Sequence, residues 1–324
     1  MSPRLELALQ NGLSLSSPLS VICPVPAHDL SALPRAAQVA QVVQPFKPFY
    51  DHFAAQGFDT VPETDDRCED AIVFLPRAKA LARAMIHLAS SRARGVVVID
   101  GAKTDGVDSI LKDVRKRVSV EWPLSKAHGK IFWFQADPQS FEDWAAPKTQ
   151  IVDGYHTAPG VFSADGIDPA SAMLLNALPA KLGPRVADLG AGWGYLTAEL
   201  LKRDNLKSVH LVEADHTALA CARINASDPE ARFYWADAVT WSAPEPLDTV
   251  VMNPPFHTSR SADPTLGQGF IAAAARNLTR NGTLWMVANR HLPYETTLNE
   301  HFARVDEAAG DNRFKVFEAS RPRR

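Results

Sequence analysis

Short apolar runs and longer amphipathic stretches alternate along the second half of the chain. From about residue 186, strand-length runs rich in β-branched residues are followed by stretches whose apolar positions recur with helical spacing. The predicted strands are RVADLG, SVHLVEAD, ARFYWAD, DTVVMN, TLWMVAN and FKVFEA, and the predicted helices are YLTAELLKRD, TALACARINAS, GFIAAAARNLT and ETTLNEHFA. A turn is predicted at RNG, residues 280–282. This alternation predicts βαβ units and a largely parallel sheet with helices on both faces.

The first half of the chain repeats part of this pattern. Residues 71–114 run strand, proline, helix, strand, glycine-containing loop and helix, and they align with the segment from TVVMNPPF to TTLNEHFA. GKIFWFQA then corresponds to NRFKVFEA. We therefore predict an internal duplication and an α/β fold of two tandem Rossmann-like domains.

The two copies differ in their chemistry. DLGAGWG in the second half corresponds to VICPVPAHDL in the first, which has no glycine. NPPF corresponds to FLPR at Phe74–Arg77. The first copy is therefore predicted to be degenerate and kept for packing or binding. A segment rich in Pro, Ala and polar residues, ADPQSFEDWAAPKTQIVDGYHTAPG, predicts a linker, so we place the domains at 1–150 and 151–324.

A glycine-rich loop follows the first strand of the second half. In VADLGAGWGYLTAEL, Asp188 lies at the strand end, and Gly190, Gly192 and Gly194 form the turn into a helix. Glycines there tolerate positive φ and let the backbone approach a ligand closely. The spacing is not the G-x-G-x-x-G of dinucleotide folds, and the acid beside it repels a phosphate but suits a cationic ligand. On this loop alone, a structural turn or a nucleotide site remains open.

Acidic residues also mark the ends of the next two strands. Glu213 ends LVEAD, 25 residues after Asp188, where a carboxylate is placed to accept both hydroxyls of a ribose. Asp237, with Ala238 behind it, ends the third strand and is placed to accept a hydrogen bond from an adenine amino group. Isolated acids of this kind are usually helix caps or solvated loop residues. Their register after the glycine loop favours a nucleoside-containing ligand instead.

The fourth strand ends at a rigid corner, VVMNPPFH. Prolines lack a backbone N–H and fix their own φ, so they stop the strand and hold Asn253 and Pro254 extended. The corner then carries Phe256 and His257. No role is assigned to His257, because a proton relay and a hydrogen bond to a backbone carbonyl are both open to it.

Composition narrows the class of protein. At 324 residues and 46% hydrophobic, the chain suits two globular domains, and its apolar runs are far shorter than the about 20 residues that cross a bilayer. The single cysteines Cys23, Cys68 and Cys221 predict neither a disulfide framework nor a metal site, which indicates the cytoplasm. A net charge of −3 argues against a surface coated for nucleic acid. Residues 91–130 hold nine Lys or Arg against five Asp or Glu, either a solvated helix face or a local patch.

In this order, the glycine loop, the two acids and Asn-Pro-Pro-aromatic resemble the class I S-adenosylmethionine-dependent methyltransferases that act on planar amino groups. The resemblance implies that the carbonyl oxygens of Asn253 and Pro254 accept hydrogen bonds from the target amine and that Phe256 stacks on its ring. It implies S-adenosylmethionine as the cofactor, held by Asp188, Gly190, Gly192, Gly194, Glu213, Asp237, Ala238 and Asn253.

Further segments narrow the resemblance. GVFSADGIDPASAMLL, NPPFH, VANRHLPYE and NRFKVFEA resemble the bacterial ribosomal-RNA guanine-N2 methyltransferases, the small-subunit enzyme C and large-subunit enzyme G group, over nearly all of 155–320. This implies methylation of a guanine N2 amine in ribosomal RNA, the small subunit being favoured, with ribosomal RNA or a ribosomal subunit as partner and an RNA-binding or stabilising role for the degenerate domain. No metal and no membrane are expected. Two departures are Trp193, which is large for a glycine loop, and the first half, which matches mainly in layout.

Two rival functions remain open. The same corner serves enzymes that methylate a protein glutamine amide or adenine N6, and VANRHLPYE together with the degenerate first half favours the ribosomal group. A non-catalytic RNA-binding or assembly factor would keep the fold without the intact glycines and NPPF. Phe162 and Ser163 are predicted either to close over the cofactor or to cap the next helix.

Overall fold

The computed structural model describes residues 2–31, 33, 39–147, 149–255 and 264–323. The chain divides into two compact units, unit 1 at 1–148 and unit 2 at 149–324.

Unit 1 contains α1 (Pro3–Gln10), β1 (Leu19–Ile22), β2 (Val39–Val43), α2 (Lys47–Ala55), β3 (Thr60–Val61), β4 (Asp70–Phe74), α3 (Lys79–Arg92), β5 (Val96–Ala102), α4 (Val107–Val114), β6 (Leu124–Lys126) and β7 (Gly129–Gln135). Short 3-10 helices span Lys103–Asp105 and Gln139–Trp144. Unit 2 contains β8 (Gln150–Val152), β9 (Tyr155–Thr157), α5 (Pro169–Ala177), β10 (Arg185–Leu189), α6 (Tyr195–Leu200), β11 (Ser208–Glu213), α7 (His216–Asn225), β12 (Ala231–Trp235), β13 (Leu247–Met252), α8 (Pro264–Asn277), β14 (Leu278–Asn289), α9 (Tyr294–His301), β15 (Phe302–Gly310) and β16 (Phe314–Pro322).

Each unit is built on a seven-stranded sheet, and the two sheets have the same strand order. The order is β3-β2-β1-β4-β5-β7-β6 in unit 1 and β12-β11-β10-β13-β14-β16-β15 in unit 2. In both sheets the first five strands are parallel, and the last two pair antiparallel to their neighbours. The predicted α/β fold with an internal duplication is therefore confirmed.

Strand register relates individual residues of the two units. Ile22 pairs with Val43 and Val73 in unit 1, as Leu189 pairs with Val212 and Met252 in unit 2. Ile22 is therefore equivalent to Leu189, Val43 to Val212 and Val73 to Met252. One step back from the first pair, and one step forward from each of the other two, gives three further equivalent pairs. The resulting pairs are Val21 with Asp188, Gln44 with Glu213, and Phe74 with Asn253.

The sheet of unit 2 is buried on both faces. Val250, Val251 and Met252 on β13 are completely buried. Successive side chains of a strand point to opposite faces, and accordingly Val250 and Met252 pack in one core cluster while Val251 packs in another. Coverage by helices on both faces explains why DTVVMN is a continuous apolar run rather than an alternating one.

Two local features of unit 2 differ from the sequence prediction. Strand β15 was not predicted, because it is an edge strand with mostly exposed side chains and so lacks an apolar pattern. The turn predicted at 280–282 lies within β14, where the partner on β14 moves from Leu278 to Thr283 while β13 advances from Leu247 to Thr249. The extra residues form an irregularity in the strand rather than a turn.

The segment predicted as a linker contains secondary structure in both units. Phe141 and Trp144 of the second 3-10 helix are buried in a core cluster of unit 1. Strands β8 and β9 pair as an antiparallel hairpin in unit 2. Across the residues that the structure describes, no helix is long and apolar enough to cross a membrane.

Candidate functional site

The glycine loop makes a tight turn between β10 and α6. Gly190, Gly192 and Gly194 have φ of 72°, 56° and 87°, the left-handed region that glycine adopts at little cost. A Cβ on Gly194 would lie 3.0 Å from the Cβ of Ala222, so this glycine also permits close packing. A Cβ on Gly192 would meet no atom of the described residues within 4 Å. The turn therefore presents open space beside Gly192.

Asp188 is almost fully buried at the carboxyl end of β10. Its Oδ2 accepts a hydrogen bond from the Thr197 hydroxyl at 2.8 Å, whereas its Oδ1 is buried without a partner among the described residues. Burial raises the pKa of this carboxyl to about 7. A buried acceptor without a donor is costly, so Oδ1 is suited to a donor that a ligand brings.

Glu213 ties the glycine loop to the end of β11. Its Oε2 accepts the Gly192 N–H at 2.7 Å, and its Oε1 accepts the Asp215 N–H at 2.8 Å. Burial raises the pKa of Glu213 to about 7. Each oxygen keeps a second lone pair, so the carboxylate is fixed in place and still able to accept from a ligand.

Asp237 and Ala238 shape the turn after β12. The Asp237 Oδ1 accepts the Val239 N–H at 2.9 Å, and its backbone carbonyl accepts N–H groups of Thr240 and Trp241. Ala238 is buried in the main core cluster of unit 2. The turn leaves the Asp237 side chain partly exposed at the same edge of the sheet as Glu213.

Trp193 is accommodated by the segment that precedes α5. Its indole is buried, and the indole N–H donates to the Phe162 carbonyl at 3.0 Å. Its ring lies against Tyr155 and Tyr195, with centroids 5.2 and 5.9 Å apart. The bulky residue therefore anchors the glycine loop to residues 155–162.

The corner after β13 is held by two residues that the sequence interpretation missed. The Asn253 Nδ2 donates to the Asp168 Oδ2 and to the Ser171 Oγ, both at 2.9 Å. Asp168 is the N-cap of α5 and accepts the Ser171 N–H at 2.8 Å. Aspartate followed by proline does signal a helix start in GIDPASAMLL, but no local pattern reveals a contact with a residue more than 80 positions away.

Pro254 is buried directly after Asn253. Phe256 and His257 lie outside the described residues, so the stacking predicted for Phe256 stays a prediction.

A pocket joins the glycine loop to the corner. It is lined by Phe162, Ser163, Asp168, Ser171, Gly190, Ala191, Gly192, Trp193, Tyr195, Leu196 and Asn253. The structure thus brings Gly190, Gly192 and Asn253 together. The described lining does not include four of the predicted site residues, Asp188, Gly194, Glu213 and Asp237. Glu213 contacts the loop through the Gly192 N–H, and Asp188, Glu213 and Asp237 follow neighbouring strands at one edge of the sheet.

The lining favours a cationic ligand over a phosphate. Among the described residues the lining contains Asp168 and neither lysine nor arginine. Two further carboxylates lie close to the glycine turn, Asp188 at the strand end that precedes it and Glu213 bonded to the Gly192 N–H. Phosphate sites rely on basic side chains or on free N–H groups, and the Gly192 N–H is already bonded to a carboxylate. Ser163, with φ of 50°, donates its hydroxyl to the Gly166 carbonyl at 2.7 Å, while the Phe162 side chain is 57% exposed.

The part of the chain that the structure describes holds no group of three or more His, Cys, Asp or Glu placed to bind a metal ion. In the basic run 91–130, Arg117 and Lys130 pair with aspartates at 2.5 and 2.6 Å, whereas Lys112 and Lys126 are exposed. Binding of RNA by this run stays a prediction.

Residues 154–318 match the family model of the methyltransferase small domain. A protein of Shewanella halifaxensis named ribosomal RNA small subunit methyltransferase C is 30% identical over 268 residues, which cover 78% of this chain and 77% of that protein. A protein of the same name from Alteromonas mediterranea is 31% identical over 264 residues, covering 78% and 73%.

Among solved structures, the chain resembles the T. thermophilus 16S rRNA N2 G1207 methyltransferase RsmC in complex with AdoMet and guanosine. The TM-score is 0.79 at 24% identity, over 99% of this chain and 92% of that one. This likeness along nearly the whole chain supports the two-domain fold already visible in the strand order.

Proposed function

The chain belongs to the methyltransferase small domain family, and from that premise we propose that it transfers a methyl group from S-adenosylmethionine to the N2 amine of a guanine in small-subunit ribosomal RNA. The predicted enzyme class, a methyltransferase, is confirmed by this membership. The names of the relatives that align with more than two thirds of the chain support the ribosomal substrate and the small subunit.

The orientation of the Asn253 amide carries this proposal. Both hydrogens of its NH₂ group are used by Asp168 and Ser171, which leaves the side-chain carbonyl Oδ1 for a donor in the pocket. An exocyclic amine conjugated to a ring is a weak nucleophile. A fixed acceptor orients its lone pair and stabilises the positive charge that develops on nitrogen as the new bond forms. The Pro254 carbonyl is proposed as the second acceptor, and Phe256 as the stacking partner of the guanine ring.

The residues of the glycine loop fit the proposed cofactor. S-adenosylmethionine, when bound, supplies an electrophilic methyl group on a cationic sulfonium. We assign Asp188, Gly190, Gly192, Gly194 and Asn253 to the side of the site near that group, Glu213 to the ribose, and Asp237 with Ala238 to the adenine. Two observations support this assignment: the Asp188 Oδ1 has no hydrogen-bond partner in the described part of the chain, and a Cβ at Gly192 would meet no described atom.

The substrate and its setting complete the proposal. A guanine in a loop or bulge of RNA can be unstacked and presented to a pocket at a lower cost than a base that is paired within a helix. Ribosomal RNA or the small ribosomal subunit is the proposed partner, and the cytoplasm is the proposed location.

The test is transfer of labelled methyl to separated small and large ribosomal subunits, followed by nucleoside analysis. We expect label in small-subunit RNA as N2-methylguanosine. Label recovered as N6-methyladenosine or in protein would indicate the rival amine substrates instead. Binding of S-adenosylmethionine without transfer to RNA or protein would indicate a binding factor.

A further inference from the structure

We propose that Asp168 and Ser171 act as positioning residues, which hold the Asn253 amide in the one orientation that lets it accept a hydrogen bond from the guanine amine. This inference rests on the proposed function. It adds to it the two side chains that set the geometry of the acceptor.

The chemistry of the two partners fixes which way the amide points. A carboxylate only accepts hydrogen bonds, so the Asp168 Oδ2 at 2.9 Å must face the NH₂ group of Asn253. The Ser171 hydroxyl lies 2.9 Å from the same nitrogen and accepts its other hydrogen. A rotation of the amide by 180° would place its carbonyl oxygen against the carboxylate. Either partner alone would leave the amide some freedom, but both together fix it.

Asp168 is itself held by the start of helix α5. The oxygen that accepts from Asn253 also accepts the Ser171 N–H at 2.8 Å, so its position is set by the first turn of the helix. The helix is anchored by Leu174, which is fully buried in a core cluster that includes Val251 of β13. The acceptor of the corner is therefore positioned by a packed helix rather than by the corner alone.

Unit 1 provides an internal comparison. Its first helix also begins with an N-cap residue followed by proline, which makes Ser2 equivalent to Asp168 and Leu5 equivalent to Ser171. Phe74 is equivalent to Asn253, and Leu5 and Phe74 are buried in the same apolar cluster. Unit 1, which lacks the glycine turn, therefore also lacks the amide of Asn253, the hydroxyl of Ser171 and the carboxylate of Asp168 at the equivalent positions. Replacement of all three residues in the same unit is expected if Asp168 and Ser171 act only by positioning Asn253.

The experiment uses the full-length chain with S-adenosylmethionine and small ribosomal subunits. Asp168→Ser keeps a good helix cap but is too short to reach Asn253, and Ser171→Ala removes the second acceptor. We expect each to lower kcat at saturating S-adenosylmethionine about 10-fold, and the two together about 100-fold. Ser171→Ala should leave the Kd for S-adenosylmethionine unchanged, whereas Asp168→Ser also removes a carboxylate from the pocket lining and should raise it. Asp168→Asn retains an acceptor oxygen of the same reach, so it should stay within about threefold of the original kcat.

A matched control is Asp137→Ser, because Asp137 also accepts N–H groups at the start of a helical turn but lies in unit 1. It should leave kcat unchanged. In an Asn253→Ala background, Ser171→Ala should lower any residual rate no further, since Ser171 acts through Asn253. Full activity of Asp168→Ser and Ser171→Ala, beside an active unsubstituted enzyme, would overturn the inference. An inactive unsubstituted enzyme would instead count against the proposed function.

Discussion

Units 1 and 2 place their strands in the same order but carry opposite chemistry where the strands end. Val21, Gln44 and Phe74 stand in unit 1 at the positions of Asp188, Glu213 and Asn253 in unit 2. The sheet cores need only apolar residues at the buried positions, and both units supply them. The comparison shows that the fold does not require the carboxylates of Asp188 and Glu213 or the amide of Asn253.

Unit 1 fills the corresponding region with its own chain. The His28 ring stacks on Phe74 with centroids 3.8 Å apart, and the Gln44 Nε2 donates to the Pro24 carbonyl at 2.6 Å. The Gln44 Oε1 accepts the Phe46 N–H at 2.9 Å, as the Glu213 Oε1 accepts the N–H two residues on in unit 2. Gln44 thus makes the same local hydrogen bond as Glu213. Its other side-chain atom bonds the loop that contains Pro24, whereas that of Glu213 bonds the glycine turn.

The largest expected effect is at the corner. Asn253→Ala removes the proposed acceptor, so kcat should fall at least about 100-fold, by analogy with the loss of one preorganised hydrogen-bond partner in other active sites. The Kd for S-adenosylmethionine, measured by calorimetry, should change little. Phe74→Asn is the reverse change in unit 1 and should leave kcat unchanged while it lowers stability, because it buries an amide in an apolar cluster. Unchanged transfer by Asn253→Ala would remove the corner from the mechanism.

A change at Glu213 makes unit 2 resemble unit 1 at its second strand end. Glu213→Gln leaves one carbonyl oxygen for two backbone donors, the N–H groups of Gly192 and Asp215, and turns an NH₂ group toward one of them. We expect the Kd for S-adenosylmethionine to rise about 10-fold, corresponding to roughly 1.4 kcal/mol. Equilibrium binding checks it. An unchanged affinity would show that Glu213 does not shape the cofactor site.

Glycine substitutions separate backbone strain from ligand contact. Gly192→Ala and Gly57→Ala each place a Cβ where no atom of the described chain lies within 4 Å, at positive φ of 56° and 86°. Both should lower the free energy of unfolding by about 1 kcal/mol or somewhat more. Only Gly192→Ala should weaken binding of S-adenosylmethionine, by several-fold, because its methyl group enters the proposed site. Equal binding by both variants would place the cofactor elsewhere.

A further prediction is the pH dependence that Asp188 gives to the stability of unit 2. Burial raises the pKa of Asp188 to about 7, so the folded chain holds a proton that the unfolded chain has released. The stability from this group is present below the unfolded pKa near 4 and is lost as pH rises through about 7. Asp188→Asn removes the titration, so relative to the unsubstituted chain its Tm should be higher at pH 8 than at pH 5. An equal shift at both pH values would show that Asp188 does not titrate there.

The sequence predicted what depends on local pattern. Buried strands such as DTVVMN, and the glycine turn, can be predicted because their signals come from residues adjacent in the sequence. The parallel pairing of the strands then brings Asp188 and Glu213 to one edge of the sheet. The edge strand β15 was not predicted because most of its side chains are exposed and it therefore has no apolar pattern. Asp168 and Ser171 were not predicted because their role depends on hydrogen bonds to Asn253, which is distant in the sequence. Trp193 departs from the loop pattern because its role is a tertiary contact, in which the indole packs against Tyr155 and donates to the Phe162 carbonyl.

The stoichiometry of cofactor binding tests the contrast between the units most directly. Titration of the full-length chain with S-adenosylmethionine by calorimetry should give one site per chain, weakened by Glu213→Gln and unaffected by Gln44→Ala. Two sites per chain, or a single site lost on substitution of Gln44, would contradict the assignment of the chemistry to unit 2.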